Sequence, residues 1–186
     1  HDHKRIIFNG NGYDDAWIEE AKRRGLKNLR NTAETIPEYA SEKNIRLLTE
    51  NGIYSRKEIE SRNEIRLEKY CSIITIEART LDEMIRKGIF GAVSAELSAL
   101  PSYGFGKALA EEIGALADAL LAAEKQLEED LGCLDGCVGG QERLCLCSET
   151  LTKDMQACRS VIDKLEQRID RRYWPYPDYT ELLFSL

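Results

Sequence analysis

From Ser55 to Leu100 no proline interrupts the chain, and Leu67, Tyr70, Ile74, Ala78, Leu81, Ile85, Ile89 and Ala92 recur at alternating spacings of three and four. Apolar residues at that period line one stripe of an α-helix, and the stripe requires a partner. Two further stripes supply it. Leu109, Ile113, Leu116, Leu120, Ala123 and Leu127 form one, ending near Gly132. Leu151, Met155, Cys158, Ile162, Leu165 and Ile169 form the other. Three long seams joined by short connectors predict a mainly α protein, an antiparallel helical bundle of heptad-patterned helices. The first seam is long: some 45 residues would span roughly 65 Å. Thr80-Leu-Asp-Glu83 is a place for it to break, and Gly88 with Gly91 a place for it to bend.

Shorter helices precede the seams. Asp14 is placed to cap a helix whose Trp17, Ile18 and Ala21 share a face and whose stop is Gly25. Thr35-Ile-Pro-Glu38 has capping-box form and predicts a second helix to about Asn51-Gly52, with Ile45 and Leu48 inward. Ser55-Arg-Lys-Glu58 opens the third. Ahead of them, Lys4 to Phe8 reads as one short strand ending in the Asn9-Gly-Asn-Gly12 turn. A lone strand leaves backbone groups unpaired, so its partner is expected in polypeptide upstream of His1. The start at His1 without methionine points the same way: residues 1–13 are expected to be the end of a preceding domain or a linker strand, and residues 14–186 the bundle. The chain closes on Trp174-Pro-Tyr-Pro177-Asp-Tyr-Thr-Glu-Leu-Leu-Phe184, where two prolines dictate an extended aromatic tail in need of a surface.

Composition narrows the function. Of 186 residues 42% are apolar and 32% charged, enough for a core, and no apolar run approaches the roughly 20 residues of a membrane span. The net charge is -7, all of it from residues 101–186. Such a surface repels phosphate backbones, so nucleic acid is not an expected partner, nor is a membrane; an intracellular, cytoplasmic setting is. The only histidines are His1 and His3, which leaves the body of the chain without the usual general base.

Cys133, Cys137, Cys145 and Cys147 have the form C-x3-C-x7-C-x-C, and four thiolates on a glycine-rich loop are a candidate zinc or redox site. The C-x-C pair departs from zinc-ribbon spacing, and unligated thiols are the preferred reading. Cys71 and Cys158 fall on seams and read as core. The turns Asn9 to Gly12 and Gly104 to Lys107 match neither phosphate-loop pattern. Glu111, Glu112 and Glu128 to Asp130 read as solvated charge, whereas Glu77, inside an apolar stretch, is expected to pair with an arginine of a neighbouring helix. The residues by themselves support binding or structural roles.

Three islands carry a resemblance. His3-Lys-Arg-Ile-Ile-Phe-Asn-Gly-Asn-Gly-Tyr13 with Trp17, Glu20, Ala21 and Arg24-Gly-Leu26 resembles the segment after the catalytic domain of type III glutamine synthetases. Glu60-Ser-Arg-Asn-Glu-Ile-Arg-Leu-Glu-Lys-Tyr-Cys71 with Ile76-Glu-Ala78 is similar to that family's C-terminal helical region, and Trp174 to Tyr179 with Leu182-Leu-Phe184 to its terminal motif. The resemblance implies a parent ligase that makes glutamine from glutamate and ammonia with ATP and Mg2+ or Mn2+. Its metal and nucleotide ligands lie in an upstream catalytic domain, so no catalytic, cofactor or metal residue transfers here. The chain is then an accessory domain that packs on its own catalytic domain and on neighbouring subunits of a large homo-oligomer, with Phe8, Tyr13, Trp17, Trp174, Pro175, Pro177, Tyr179 and Phe184 as docking candidates. The alternatives are an independent helical binding module and a thiol metal or redox site on residues 133–147.

Overall fold

A computed structural model describes residues 7–177 and 179–184, without the side chains of 179 and 180. The chain divides into two compact units, His1–Asn63 and Glu64–Leu186.

In the first unit, α1 (Asp15–Arg23), α2 (Thr32–Tyr39), α3 (Glu42–Glu50) and the start of α4 (Arg56–Met84) bury Ala21, Ala33, Ile36, Ile45 and Ile59. α1 stops as its sequence dictates: Gly25 takes φ +68, the Gly25 amide donates to the Lys22 carbonyl and the Leu26 amide to that of Ala21. Such a C-terminal cap favours a residue without Cβ. Gly52 ends α3 in the same way. Ser55 and Glu58 form the expected capping box, with the Ser55 amide and hydroxyl both 2.8 Å from the Glu58 carboxylate.

Two expectations fail in this unit. The second helix opens at Thr32, because Asn31 accepts from the Glu34 amide at 2.9 Å while Glu34 accepts from the Arg30 amide. That box wins over Thr35 to Glu38 and carries Pro37 inside the helix. The helix also does not run through to Asn51; Ser41 turns extended at ψ 148 and starts α3 afresh. The Lys4 to Phe8 strand falls mostly outside the described residues, and Ile7 and Phe8 are not in a strand.

The second unit is the bundle. α4 continues through a π-turn (Ile85–Ile89) into α5 (Phe90–Ala99). α6 (Gly104–Gly136) returns, and α7 (Gly140–Cys145), a second π-turn (Leu146–Leu151) and α8 (Thr152–Glu166) run back again. Cross-helix pairs fix the directions. Arg79 meets Asp135 and Arg86 meets Glu128, so α6 is antiparallel to α4; Asp154 in the first turn of α8 faces Asp130 and Arg168, just past α8, meets Glu112, so α8 is antiparallel to α6. Ala78, Ile85, Ile89, Ala92, Ile113, Leu120, Leu127, Leu151, Cys158, Ile162, Leu165 and Ile169 are all buried, as the three seams require.

The first long helix does not break at Thr80. The irregularity comes at Ile85–Ile89, where the Phe90 amide reaches back five residues to the Ile85 carbonyl. Gly132 does not end α6 either; Leu131 and Leu134 are buried beyond it and hold the helix to Gly136. The residues expected to form a cysteine loop are therefore largely helical. The tail is not extended throughout: Tyr176 sits at a bend, and Tyr179–Phe184 forms α9.

Candidate docking surfaces and buried polar sites

Near the N-terminus an Asx turn sets the geometry. Asn11 accepts from the Tyr13 amide at 3.1 Å and donates to Asp14 at 2.9 Å, so the Asp14 carboxylate binds Asn11 and does not cap α1. Phe8 stacks on Trp17, ring centres 4.7 Å apart and planes at 46°, and the Arg24 guanidinium lies 5.8 Å from the Phe8 ring. Arg24 also donates to the Ile7 carbonyl at 3.0 Å. Glu20 binds Arg23 and Arg24, and these bonds, Arg23's first, hold its carboxyl down at about 2. Of the three N-terminal candidates, Phe8 and Trp17 cover each other and Tyr13 stands fully in solvent.

The C-terminal candidates separate as well. Trp174 is buried, and Tyr176 is half-buried with its hydroxyl donating to the Met84 carbonyl at 2.9 Å. Pro175, Pro177 and Phe184 are exposed, and the Tyr179 side chain lies outside the described residues. A recess of about 320 Å³ remains beside the tail, floored by Leu81, Met84, Ile89 and Ile162 and edged by Arg159 and Asp163.

Sequence reading missed the exposed apolar rows. Ile65, Ile73 and Ile76 are 59%, 45% and 64% exposed on one side of α4. At 100° per residue they fall within a quarter-turn of one another, and their signal was present as a second apolar spacing beside the buried seam. At the α5–α6 connector, Gly104 takes φ +56 and a Cβ on Gly106 would lie 2.5 Å from Pro101. That tight turn holds Tyr103 and Phe105 outward.

The four candidate thiols do not converge. Cys133 is exposed on α6, Cys137 caps that helix, Cys145 is exposed on α7, and Cys147 is buried with its thiol 3.9 Å from the Cys71 carbonyl. Among the described residues no three His, Cys, Asp or Glu side chains gather to hold a metal ion. Burial pushes Cys147 up to about 12 and Cys158 up to about 11, so neither supplies thiolate at neutral pH. A thiol reagent is expected to modify Cys133 and Cys145 within minutes, and Cys71, Cys147 and Cys158 only on unfolding; mass spectrometry of the labelled native protein checks this.

Charge enters the bundle where no apolar gap announced it. Glu77 is exposed; among the described residues the buried acids are Glu96 and Glu124. Glu96 accepts from the Asp170 amide at 2.8 Å and ties the end of the third seam to α5. Glu124 lies 2.6 Å from Arg86, which also reaches Asp82 and Glu128. Asp154 has a buried Oδ2 without a donor, and burial, then Asp130 opposite, raises its pKa from 3.8 to about 6. Because the folded pKa exceeds the unfolded one, the stabilising effect of this proton is complete below the unfolded value and is lost as pH rises through the folded one. Asp154→Asn is therefore expected to stabilise the protein at pH 7 by about 1 kcal/mol, discounted for partial exposure, and to flatten its stability between about pH 4 and 7. Urea titrations across that range measure both effects.

No helix among the described residues is long and apolar enough to cross a membrane. Residues 1–102 match the family described as the glutamine synthetase C-terminal domain. Over 99% of its length the chain is 38% identical to a glutamine synthetase of Butyrivibrio fibrisolvens, covering 28% of that protein. It is 32% identical over 98% of its length to a type-3 glutamine synthetase of Dictyostelium discoideum, covering 27%, and 28% identical to a glutamine synthetase of Bacteroides fragilis, again covering 27%. The chain thus spans little more than a quarter of the curated relatives it matches.

Proposed function

The chain belongs to the glutamine synthetase C-terminal domain family, and from that premise we propose that it is the accessory assembly domain of a type III glutamine synthetase, itself without catalytic residues. The parent enzyme in this proposal joins ammonia to glutamate with ATP and Mg2+ or Mn2+, in the cytoplasm, as a large homo-oligomer. The observation that carries the reading is the alignment of nearly the whole chain with about a quarter of each relative; the proposal assigns the chemistry of those enzymes to the other three quarters.

Two features of the fold support a docking role. The Ile65, Ile73 and Ile76 row on α4 and the Tyr103 and Phe105 turn are apolar groups in solvent, the kind of surface that marks an interface with another domain or subunit. The aromatic candidates Tyr13 and Phe184 extend the proposed contact set. Buried Trp174 and the facing rings of Phe8 and Trp17 serve the domain's own packing in this reading.

Assembly and activity test it together. The purified chain, supplied with glutamate, ammonia, ATP and Mg2+, is expected to form no glutamine. In the parent polypeptide, Ile73→Asp combined with Ile76→Asp is expected to shift sedimentation toward smaller assemblies. ATP-dependent glutamine formation by the chain alone would overturn the proposal. Unchanged assembly of the doubly substituted parent would remove this face from it and favour an independent binding module.

A further inference from the structure

The first π-turn and the C-terminal tail fit each other at three points. An i to i+5 step inserts one residue into an α-helix and locally changes the surface that the helix presents. Here the Phe90 amide bonds Ile85, and the Met84 carbonyl at the entry to the turn accepts the Tyr176 hydroxyl. The helix surface is cut away at the same place: a Cβ on Gly88 would lie 2.5 Å from the Tyr176 oxygen, 3.0 Å from its Cζ and 3.1 Å from Pro175 Cγ. Beside this seat Trp174 is buried, and its carbonyl accepts from Arg171 at 2.9 Å while its amide donates to Asp170.

We propose that Trp174-Pro-Tyr-Pro177 is a latch keyed to the Ile85–Ile89 π-turn, so that tail engagement and the π-turn are one coupled equilibrium. Gly88 supplies the space, the Met84 carbonyl supplies the acceptor, and the two prolines fix the backbone on either side of the bend at Tyr176 that turns its ring into the seat. Release uncovers Leu81, Met84, Ile89 and Ile162. The tail is therefore a strap over an apolar groove of the bundle. This inference uses nothing from the assembly reading and stands if that reading fails.

The glycines of the same helical run provide a matched test. Alanine for glycine in a helix is ordinarily stabilising. Gly91 is exposed, with nothing within 4 Å of its Cβ position, so Gly91→Ala is expected to raise the melting temperature. Gly88→Ala is expected to lower it, because the methyl group takes the place of Tyr176. In a full chain carrying Trp17→Phe, so that Trp174 alone reports, Gly88→Ala is expected to red-shift the emission and to speed trypsin cleavage at Arg171 and Arg172 by about tenfold, since cleavage tracks the open population. Tyr176→Phe, which keeps the ring and loses the hydroxyl, is expected to lie between Gly88→Ala and the parent. Amide exchange at Phe90 is expected to accelerate in step with cleavage.

A Gly88→Ala chain that behaves like Gly91→Ala overturns the latch. Release of the tail with unchanged Phe90 exchange overturns the coupling. Should Gly88→Ala fail to fold, Tyr176→Ala carries the test: unchanged Trp174 emission and cleavage in that folded variant overturn the proposal equally.

Discussion

Replacing Leu120 by alanine is expected to cost the bundle about 3 to 4 kcal/mol, the range for a leucine truncated in a core that cannot collapse around the gap. Ile113, Leu120, Leu127 and Leu134 are spaced by seven and are all essentially without solvent exposure, so Leu120 sits in the middle of the inner row of α6. α6 packs on both α5 and α8, and a void at its centre has walls from more than one helix, none of which can close it by a small shift. Leu121, one residue on, is 40% exposed and its truncation is expected to change stability by no more than about 0.5 kcal/mol. Urea unfolding of the two variants checks the register: comparable losses would mean that the seam is misassigned by a residue.

The contrast shows what a period can and cannot tell. The three seams were readable because burial of a stripe needs apolar side chains at three and four, and Ala78, Ile85, Leu120, Leu127 and Leu165 obey that rule. Helix ends followed where the cap chemistry is local, as at Ser55 with Glu58 and at Gly25. Asn31 to Glu34 was just as legible as Thr35 to Glu38; both spell a cap three residues ahead of a glutamate, and only the neighbouring Arg30 amide, which Glu34 also binds, separates them. The π-turns had no such signature. An extra residue in the ladder changes no side-chain type, and Gly88 with Gly91 suggested a bend without saying that Tyr176, 88 residues after Gly88, would fill it.

The fate of the carboxylates marks the other limit. Charge runs read as solvated surface hold for Glu111, Glu112 and Glu128, which are exposed and paired with Lys107, Arg168 and Arg86. Asp130 departs from that reading, since it is half-buried and faces Asp154. Glu124 departs further. It stands four after Leu120 and three before Leu127, an inner position by the same spacing that placed those leucines, yet the stripe was drawn through Ala123 because a glutamate has no claim on a core. What admits it is Arg86, at the start of the π-turn on the facing helix and itself half in solvent, which brings a partner without being buried.

Glu124→Lys is accordingly expected to be among the most destabilising changes in the protein, on the order of 3 to 5 kcal/mol, because it leaves Arg86 facing a second, buried cation in place of its partner. Glu124→Gln keeps the shape and the acceptor and is expected to cost far less. The two differ again in pH dependence. Burial first, then a shared hydrogen bond with Asp82, raises the Glu124 pKa, and Arg86 works against both. An acid whose folded pKa is raised stabilises the fold most fully at low pH, and that contribution is lost as pH rises through the folded value. The parent chain is therefore expected to lose stability on going from acid to neutral pH through this site, and Glu124→Gln to be flatter over the same range. Arg86→Ala removes the group that holds the pKa down and is expected to be more destabilising at pH 8 than at pH 5, with Glu124→Gln in the same chain recovering most of the loss at pH 8. Urea midpoints for the four chains at the two pH values decide the matter. If Arg86→Ala costs the same at both, or Glu124→Gln fails to rescue it, the carboxylate is not the charge that Arg86 neutralises, and the polar contact across α4 and α6 has to be assigned to Asp82 and Glu128 instead.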